Sequence, residues 1–137
     1  MEEFRFHHIG VAVKNLHDAI ESYKKLMGYE LVSGPFHDPL QNVSVCFLCR
    51  GAGDTVIEPV APLGSNSPVD RFLKKGLGVY HICYEVPDIG AALKHMTGNG
   101  CILLSGPVPA VAFGMRRIAW LMTETSLLVE LLEAQGI

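Results

Sequence analysis

Four side chains of this 137-residue chain have the types and the spacing to hold a metal ion. His8 opens the run His8-Ile9-Gly10-Val11-Ala12-Val13 and His81 opens His81-Ile82-Cys83-Tyr84-Glu85-Val86, while Glu58 and Glu130 each close a short apolar run, Val56-Ile57-Glu58 and Leu128-Val129-Glu130. The histidines are 73 residues apart and the glutamates 72, and Ser33-Gly34-Pro35 returns as Ser105-Gly106-Pro107, again 72 residues on. Repetition at a fixed offset marks a duplicated module. A lone histidine on a strand is ordinarily a satisfied polar group, so the repetition carries the reading. An ionised carboxylate in an apolar strand has to be paired, bound to metal or neutralised. Two neutral imidazoles and two carboxylates suit Co²⁺, Ni²⁺, Zn²⁺ or Mn²⁺ and leave two octahedral positions open to water or substrate oxygens.

The elements that must position these groups follow from periodicity. Residues 4–13 alternate and are β-branched, predicting a strand. Asn15 or Asp18 caps a helix whose stripe is Ala19, Ile20, Tyr23, Leu26 and Met27, ended by Gly28. Three short strands follow at 29–33, 43–49 and 55–60. The second half repeats the order: a strand at 79–86, a helix from Asp88 carrying Ile89, Ala92, Leu93 and Met96, then strands at 101–105, 116–122 and 126–133. Ser67-Pro68 starts a short connector helix over Val69–Lys75. The expected fold class is therefore α+β: two tandem βαβββ modules, 1–63 and 76–137, forming an eight-stranded, cup-shaped sheet within one domain, 1–137. If His8 points into the cup, so do Gly10 and Ala12, and Glu130 shares its face with Leu128 and Leu132.

Composition narrows the partners. A net charge of −3 with scattered lysines and arginines leaves no footprint for nucleic acid. The longest apolar run is too short to span a membrane, and the N-terminus lacks a signal-like pattern, so a cytoplasmic protein with a small-molecule partner is expected. Cys46 and Cys49 lie three apart on a predicted strand and face opposite ways, which does not chelate one ion; Cys46, Cys49, Cys83 and Cys101 read as reduced thiols. His7, His17, His37 and His95 have no echo and read as surface residues, His37 in a loop. Arg116 and Arg117 follow the loop Val111–Met115; as strand neighbours only one can enter the cup, where a substrate carboxylate or phosphate is its natural partner. Trp120, with Phe113 and Tyr84, offers a substrate wall.

With these residues in view, the chain resembles the vicinal oxygen chelate (glyoxalase, bleomycin resistance, dioxygenase) superfamily over essentially its whole length. It is most similar to the methylmalonyl-CoA epimerase branch, through His8–Val13, Ile57-Glu58-Pro59-Val60-Ala61-Pro62-Leu63-Gly64-Ser65-Asn66-Ser67-Pro68, Val79–Ile89 and Leu128-Val129-Glu130-Leu131. The resemblance implies metal-ligand roles for His8, Glu58, His81 and Glu130 around one divalent ion, and a homodimer. Epimerases of this branch usually carry a His-Pro-Lys segment before the last strand, where this chain reads Leu121-Met122-Thr123-Glu124-Thr125-Ser126-Leu127. Some also carry an extra glutamate on the third strand, where the nearest residues here are Ser44 and Val45.

The implied function is a metal-dependent enzyme that abstracts a proton α to a carbonyl, with Glu130, or Glu58 by symmetry, as the base, Arg116, Arg117 and Trp120 on the substrate, and an acyl-CoA or a glutathione thioester as partner. Two alternatives share the fold. One is isomerisation of a hemithioacetal, as in lactoylglutathione lyase; the other is a non-catalytic protein that binds a small molecule such as an antibiotic.

Overall fold

In the computed structural model, residues 3–135 are described. They form two compact units, His8–Tyr80 on one side and, on the other, the residues up to His7 together with those from His81 onward. Each unit is a βαβββ module. The first contains β1 (Arg5–Ala12, from His8), α1 (Leu16–Met27), β2 (Glu30–Asp38), β3 (Val43–Cys49), β4 (Ile57–Pro62) and the connector helix α2 (Asp70–Lys74). The second contains β5 (Val79–Val86, from His81), α3 (Ile89–Gly98), β6 (Ile102–Pro109), the 3₁₀ turn Val111–Phe113, β7 (Arg117–Met122) and β8 (Leu128–Glu133). The α+β class and the tandem repeat expected from the sequence are borne out. Phe4 and Phe6 pack edge-on against Tyr84 and Arg5 reaches Glu85, so residues 4–6 group with the second unit, while the connector and the start of β5, up to Tyr80, group with the first.

The two modules have the same wiring. In the first, strands run β2-β3-β4-β1, with β1 and β4 parallel and the others antiparallel. In the second the order is β5-β8-β7-β6, again with only the module's first and last strands, β5 and β8, parallel. The two parallel pairs are in matching register, Gly10 opposite Glu58 and Cys83 opposite Glu130. Local chemistry explains the helices. Asn15 accepts the Asp18 N–H and Asp88 the Ala91 N–H, both at 3.0 Å, closing the N-termini of α1 and α3. Gly28, at φ 73°, ends α1 in the left-handed region that glycine enters at little cost.

Alternation sorts the second module's core to two faces. Ile89 and Ala92 of α3 bury against Ala119, Leu121, Val129 and Leu131, while Cys83, Ile118 and Leu132 pack on the opposite face with Ala110. Each wholly buried leucine contributes about 1.5–3 kcal/mol. In the first module the buried set includes Ala19, Cys46, Leu48, Val60 and Ala61. The predicted stripe of α1 stops short, since Leu26 and Met27 in its last turn are 71% and 48% exposed. Strands β2 and β6 outrun their predicted ends at 33 and 105 because each continues through its Ser-Gly-Pro turn. Pro35 and Pro107 are tolerated because these are outermost strands of their modules, and register shifts absorb the irregularity. Among the described residues no helix is long and apolar enough to cross a membrane.

Candidate metal centre

Each module carries one buried histidine–glutamate contact. In the first, His8 on β1 and Glu58 on the parallel neighbour β4 bring Nε2 and Oε1 to 3.1 Å, with side chains 0% and 6% exposed. In the second, His81 on β5 and Glu130 on β8 stand in the same relation at 3.3 Å, 0% and 3% exposed. Parallel register makes both contacts: each glutamate lies opposite the residue two places beyond its histidine, on the same face of the sheet. Small or apolar neighbours exclude water from both pairs.

The donor set suits a divalent ion, and all four side chains are of the kind that could hold one. Two ligands at right angles, each about 2.1 Å from an ion, lie ~3.0 Å apart, close to the 3.1 and 3.3 Å seen here. A neutral imidazole against a buried carboxylate at that distance needs a shared proton or cation, and the same need arises twice.

An aromatic ring braces each imidazole. Phe47 meets His8 edge to face at 5.6 Å between centroids, and Trp120 meets His81 likewise at 4.8 Å. Trp120 is the register partner of Glu130. Phe47 reaches the same place opposite Glu58 by continuation of the pairing of Val45 with Val60 and of Leu48 with Ile57.

The two arginines part as strand alternation requires. Arg116 lies on the His81 face, where its Nη1 donates to Glu85 Oε2 at 2.9 Å and to the Glu133 carbonyl at 3.3 Å, with the guanidinium 5.8 Å from the Phe113 ring. Arg5 donates to the other oxygen of Glu85 at 3.4 Å, so two cations share one half-buried carboxylate. Arg117 lies on the opposite face in a two-point bond to Glu133, at 3.0 and 2.8 Å. That bond, above all, holds the Glu133 carboxyl below its ordinary value and raises Arg117. Sequence reasoning passed over Glu85, although period-two alternation from His81 through Cys83 puts it on the site face.

The other singled-out residues settle as follows. Burial, with the nearby charge of Glu58 adding to it, pushes the Cys46 thiol up to about 11, so it is an inert neighbour; all four cysteines are free thiols. His37 is not in a loop: it stands on β2 opposite Ser44, its Nδ1 2.7 Å from the buried hydroxyl, because β2 extends to Asp38. Val45 faces Val60, so that stretch of β3 carries no carboxylate. His7 packs edge-on against Phe113, His95 lies tilted beside Phe4, and His17 is exposed on α1. In place of a His-Pro-Lys segment, Thr123–Ser126 forms a tight turn in which Thr123 Oγ1 accepts the Leu127 N–H at 3.0 Å. Asp38, unremarked in the sequence, is buried and accepts the Gln41 N–H at the β2–β3 turn.

Comparison with known proteins adds the following. Residues 7–120 match the Glyoxalase/Bleomycin resistance protein/Dioxygenase superfamily. The ethylmalonyl-CoA/methylmalonyl-CoA epimerase of Cereibacter sphaeroides is 37% identical over 109 residues, 78% of this chain and 79% of that one. A mitochondrial methylmalonyl-CoA epimerase of Dictyostelium discoideum is 32% identical over 133 residues, 94% of this chain and 78% of that one. Among solved structures, a hypothetical protein from Bacillus halodurans is similar with a TM-score of 0.84 at 27% identity, covering 98% of this chain and 97% of its own. Methylmalonyl-CoA epimerase from Mycobacterium tuberculosis gives 0.82 at 26%, covering 96% and 89%. The Streptomyces coelicolor enzyme in complex with 2-nitronate-propionyl-CoA, at 24% identity and a TM-score of 0.79, shares the fold over 96% of this chain and 98% of its own.

Proposed function

The chain belongs to the Glyoxalase/Bleomycin resistance protein/Dioxygenase superfamily, and on that footing we propose that it is a divalent-metal-dependent epimerase acting α to the carbonyl of an acyl thioester, of the methylmalonyl-CoA type. The observation that carries the reading is the buried histidine–glutamate contact made twice, once in each module. The relatives named above as epimerases support the substrate class. In this reading His8, Glu58, His81 and Glu130 hold one ion of the Co²⁺, Ni²⁺, Zn²⁺ or Mn²⁺ kind, which when bound supplies a Lewis acid for negative charge developing on the substrate.

The chain's own groups do the rest. Glu130, dry and braced, is the base: it takes the α-proton while the C–H electron pair moves into the carbonyl system. Inversion needs a proton returned on the other face: Glu58, its equivalent by duplication, enters this step as the carboxylic acid and gives up its proton, ending ionised as Glu130 ends protonated, each loosened from the ion while it carries the proton; the two exchange roles for the opposite stereoisomer. Arg116 meets the anionic end of the substrate by releasing one of its bonds around Glu85, which Arg5 continues to neutralise. Trp120 lies against the acyl group. Arg117, bound to Glu133 on the opposite face, supports β7 and β8.

Exposed apolar residues on the outer strands, Leu31 and Val32 on β2 and Ile102, Leu103 and Leu104 on β6, support pairing with a second copy in a homodimer. The activity is tested directly: protein loaded with Co²⁺ and incubated with methylmalonyl-CoA in D₂O takes up deuterium at the α-carbon, read by mass spectrometry. No uptake with any of the four metals would remove the epimerase reading.

A further inference from the structure

Trp120 is the chain's one tryptophan, and it stands where the first module has Phe47. Both residues oppose their module's glutamate and meet their histidine edge to face. They differ in two respects. Phe47 is 6% exposed, whereas Trp120 is only partly buried. Exchanging a phenyl for an indole also adds a single hydrogen-bond donor. Among the described residues the Trp120 N–H has none, and it is not sealed from solvent.

Apolar side chains flank the ring. Val108 and Phe113 lie with Trp120 against Cys83, Ile118 and Leu132, and Arg116 of the same module is engaged by Glu85. A braced ring with a free donor, set beside a carboxylate base, is suited to an oxygen that becomes negative as the base takes its proton.

We propose that Trp120 is a specificity-determining residue of the second module: its indole N–H donates to an enolate or carboxylate oxygen of the substrate held beside His81 and Glu130, while the apolar wall takes the aliphatic arm of the acyl group. This rests on the epimerase reading.

The test compares wild type with Trp120→Phe, which installs the residue of the equivalent position and therefore suits the fold. The probes are Zn²⁺ alone and then 2-nitronate-propionyl-CoA, whose nitronate places anionic oxygens where an enolate would. By calorimetry the variant keeps zinc affinity within about twofold and loses roughly tenfold or more in nitronate affinity. Wild-type emission, which comes from Trp120 alone among tryptophans, shifts when the nitronate binds. Equal nitronate affinity in both proteins, or unchanged wild-type emission with nitronate bound, overturns the donor. A parallel loss of zinc affinity makes Trp120 a buttress of His81 and overturns it as well. A wild type that binds no nitronate and exchanges no α-deuterium brings down the epimerase reading, and this inference with it; the other outcomes sink Trp120 alone.

Discussion

The two modules are copies in backbone and in their buried histidine–glutamate pair but not in what surrounds it. Each has a histidine on its first strand, a glutamate on the parallel neighbour and an aromatic ring edge-on to the imidazole. Around that shared unit the first module is plain: Gly10 opposes Glu58, Ala12 follows on the same face, and Phe47 is a pure hydrocarbon. At the equivalent points the second has Cys83, Glu85 and Trp120, with Arg116 bound to Glu85. The histidine–glutamate pair is the same in both halves, whereas the additional polar groups stand in one half. On the proposed reading that is expected, since an ion is indifferent to which module a ligand comes from and an acyl thioester with one reacting carbon is not.

The strongest way to break this comparison is to neutralise the two glutamates in turn. Glu130→Gln keeps an oxygen ligand but no base, so metal content persists while α-deuterium exchange of the stereoisomer whose proton Glu130 takes falls by roughly 10²–10⁴-fold. Glu58→Gln leaves removal of one stereoisomer's proton less affected than its return, so exchange survives better than net epimerisation. Full exchange in Glu130→Gln would take the base role from the second module. An identical loss of both readouts in the two variants would erase the asymmetry.

A sharper structural test uses the repeated Ser-Gly-Pro turn. Gly34 and Gly106 share a φ of 94°, in the left-handed region. A Cβ at Gly34 would lie 3.0 Å from Cys46 Cα and the Val45 carbonyl oxygen, but at Gly106 it would lie 2.5 Å from the Ile118 carbonyl oxygen. Backbone cannot yield as a side chain can. Gly106→Ala is therefore expected to cost about 2–3 kcal/mol and Gly34→Ala about 1–2 kcal/mol, measured by urea unfolding. The reverse order would mean that the second module's β6–β7 pair is the looser one.

How far the sequence carried this comparison depended on which signal each feature left. His8 and His81, with Glu58 and Glu130, were legible because both types recur at nearly one offset, and strand alternation then set their faces. Strands β2 and β6 were cut short because Pro35 and Pro107 read as loop; that signal does not distinguish an outer strand, which tolerates proline, from an inner one. For the same reason the sequence pattern places His37 in a loop, although β2 pairs it with Ser44. Glu85 went unremarked because its partners, Arg5 and Arg116, lie 80 and 31 residues away, and no local pattern announces a pairing at that distance. Leu26 and Met27 followed the helical period yet lie exposed, since periodicity tells which side a residue is on but not where the packing surface ends.

The smallest expected effect lies on the face away from the site, where the modules differ again. Ser44 opposite Ala61 in the first corresponds to Arg117 beside Glu133 in the second. Glu133 is ionised more readily in the folded chain than its ordinary value of 4.5, chiefly because Arg117 bonds to it. A carboxyl lowered in this way stabilises the fold above that value and loses its contribution as pH falls through the lowered folded pKa. Both groups are largely solvated, so screening keeps the effect small. Arg117→Gln should lower the melting temperature at pH 7 by no more than about 3 °C, and the gap should close on the acid side of the carboxylate range. A gap that is the same at both ends of that titration would mean that Arg117 supports β7 through the packing of its aliphatic stem on the neighbouring strand, and the charge pair would then be incidental to the difference between the two modules.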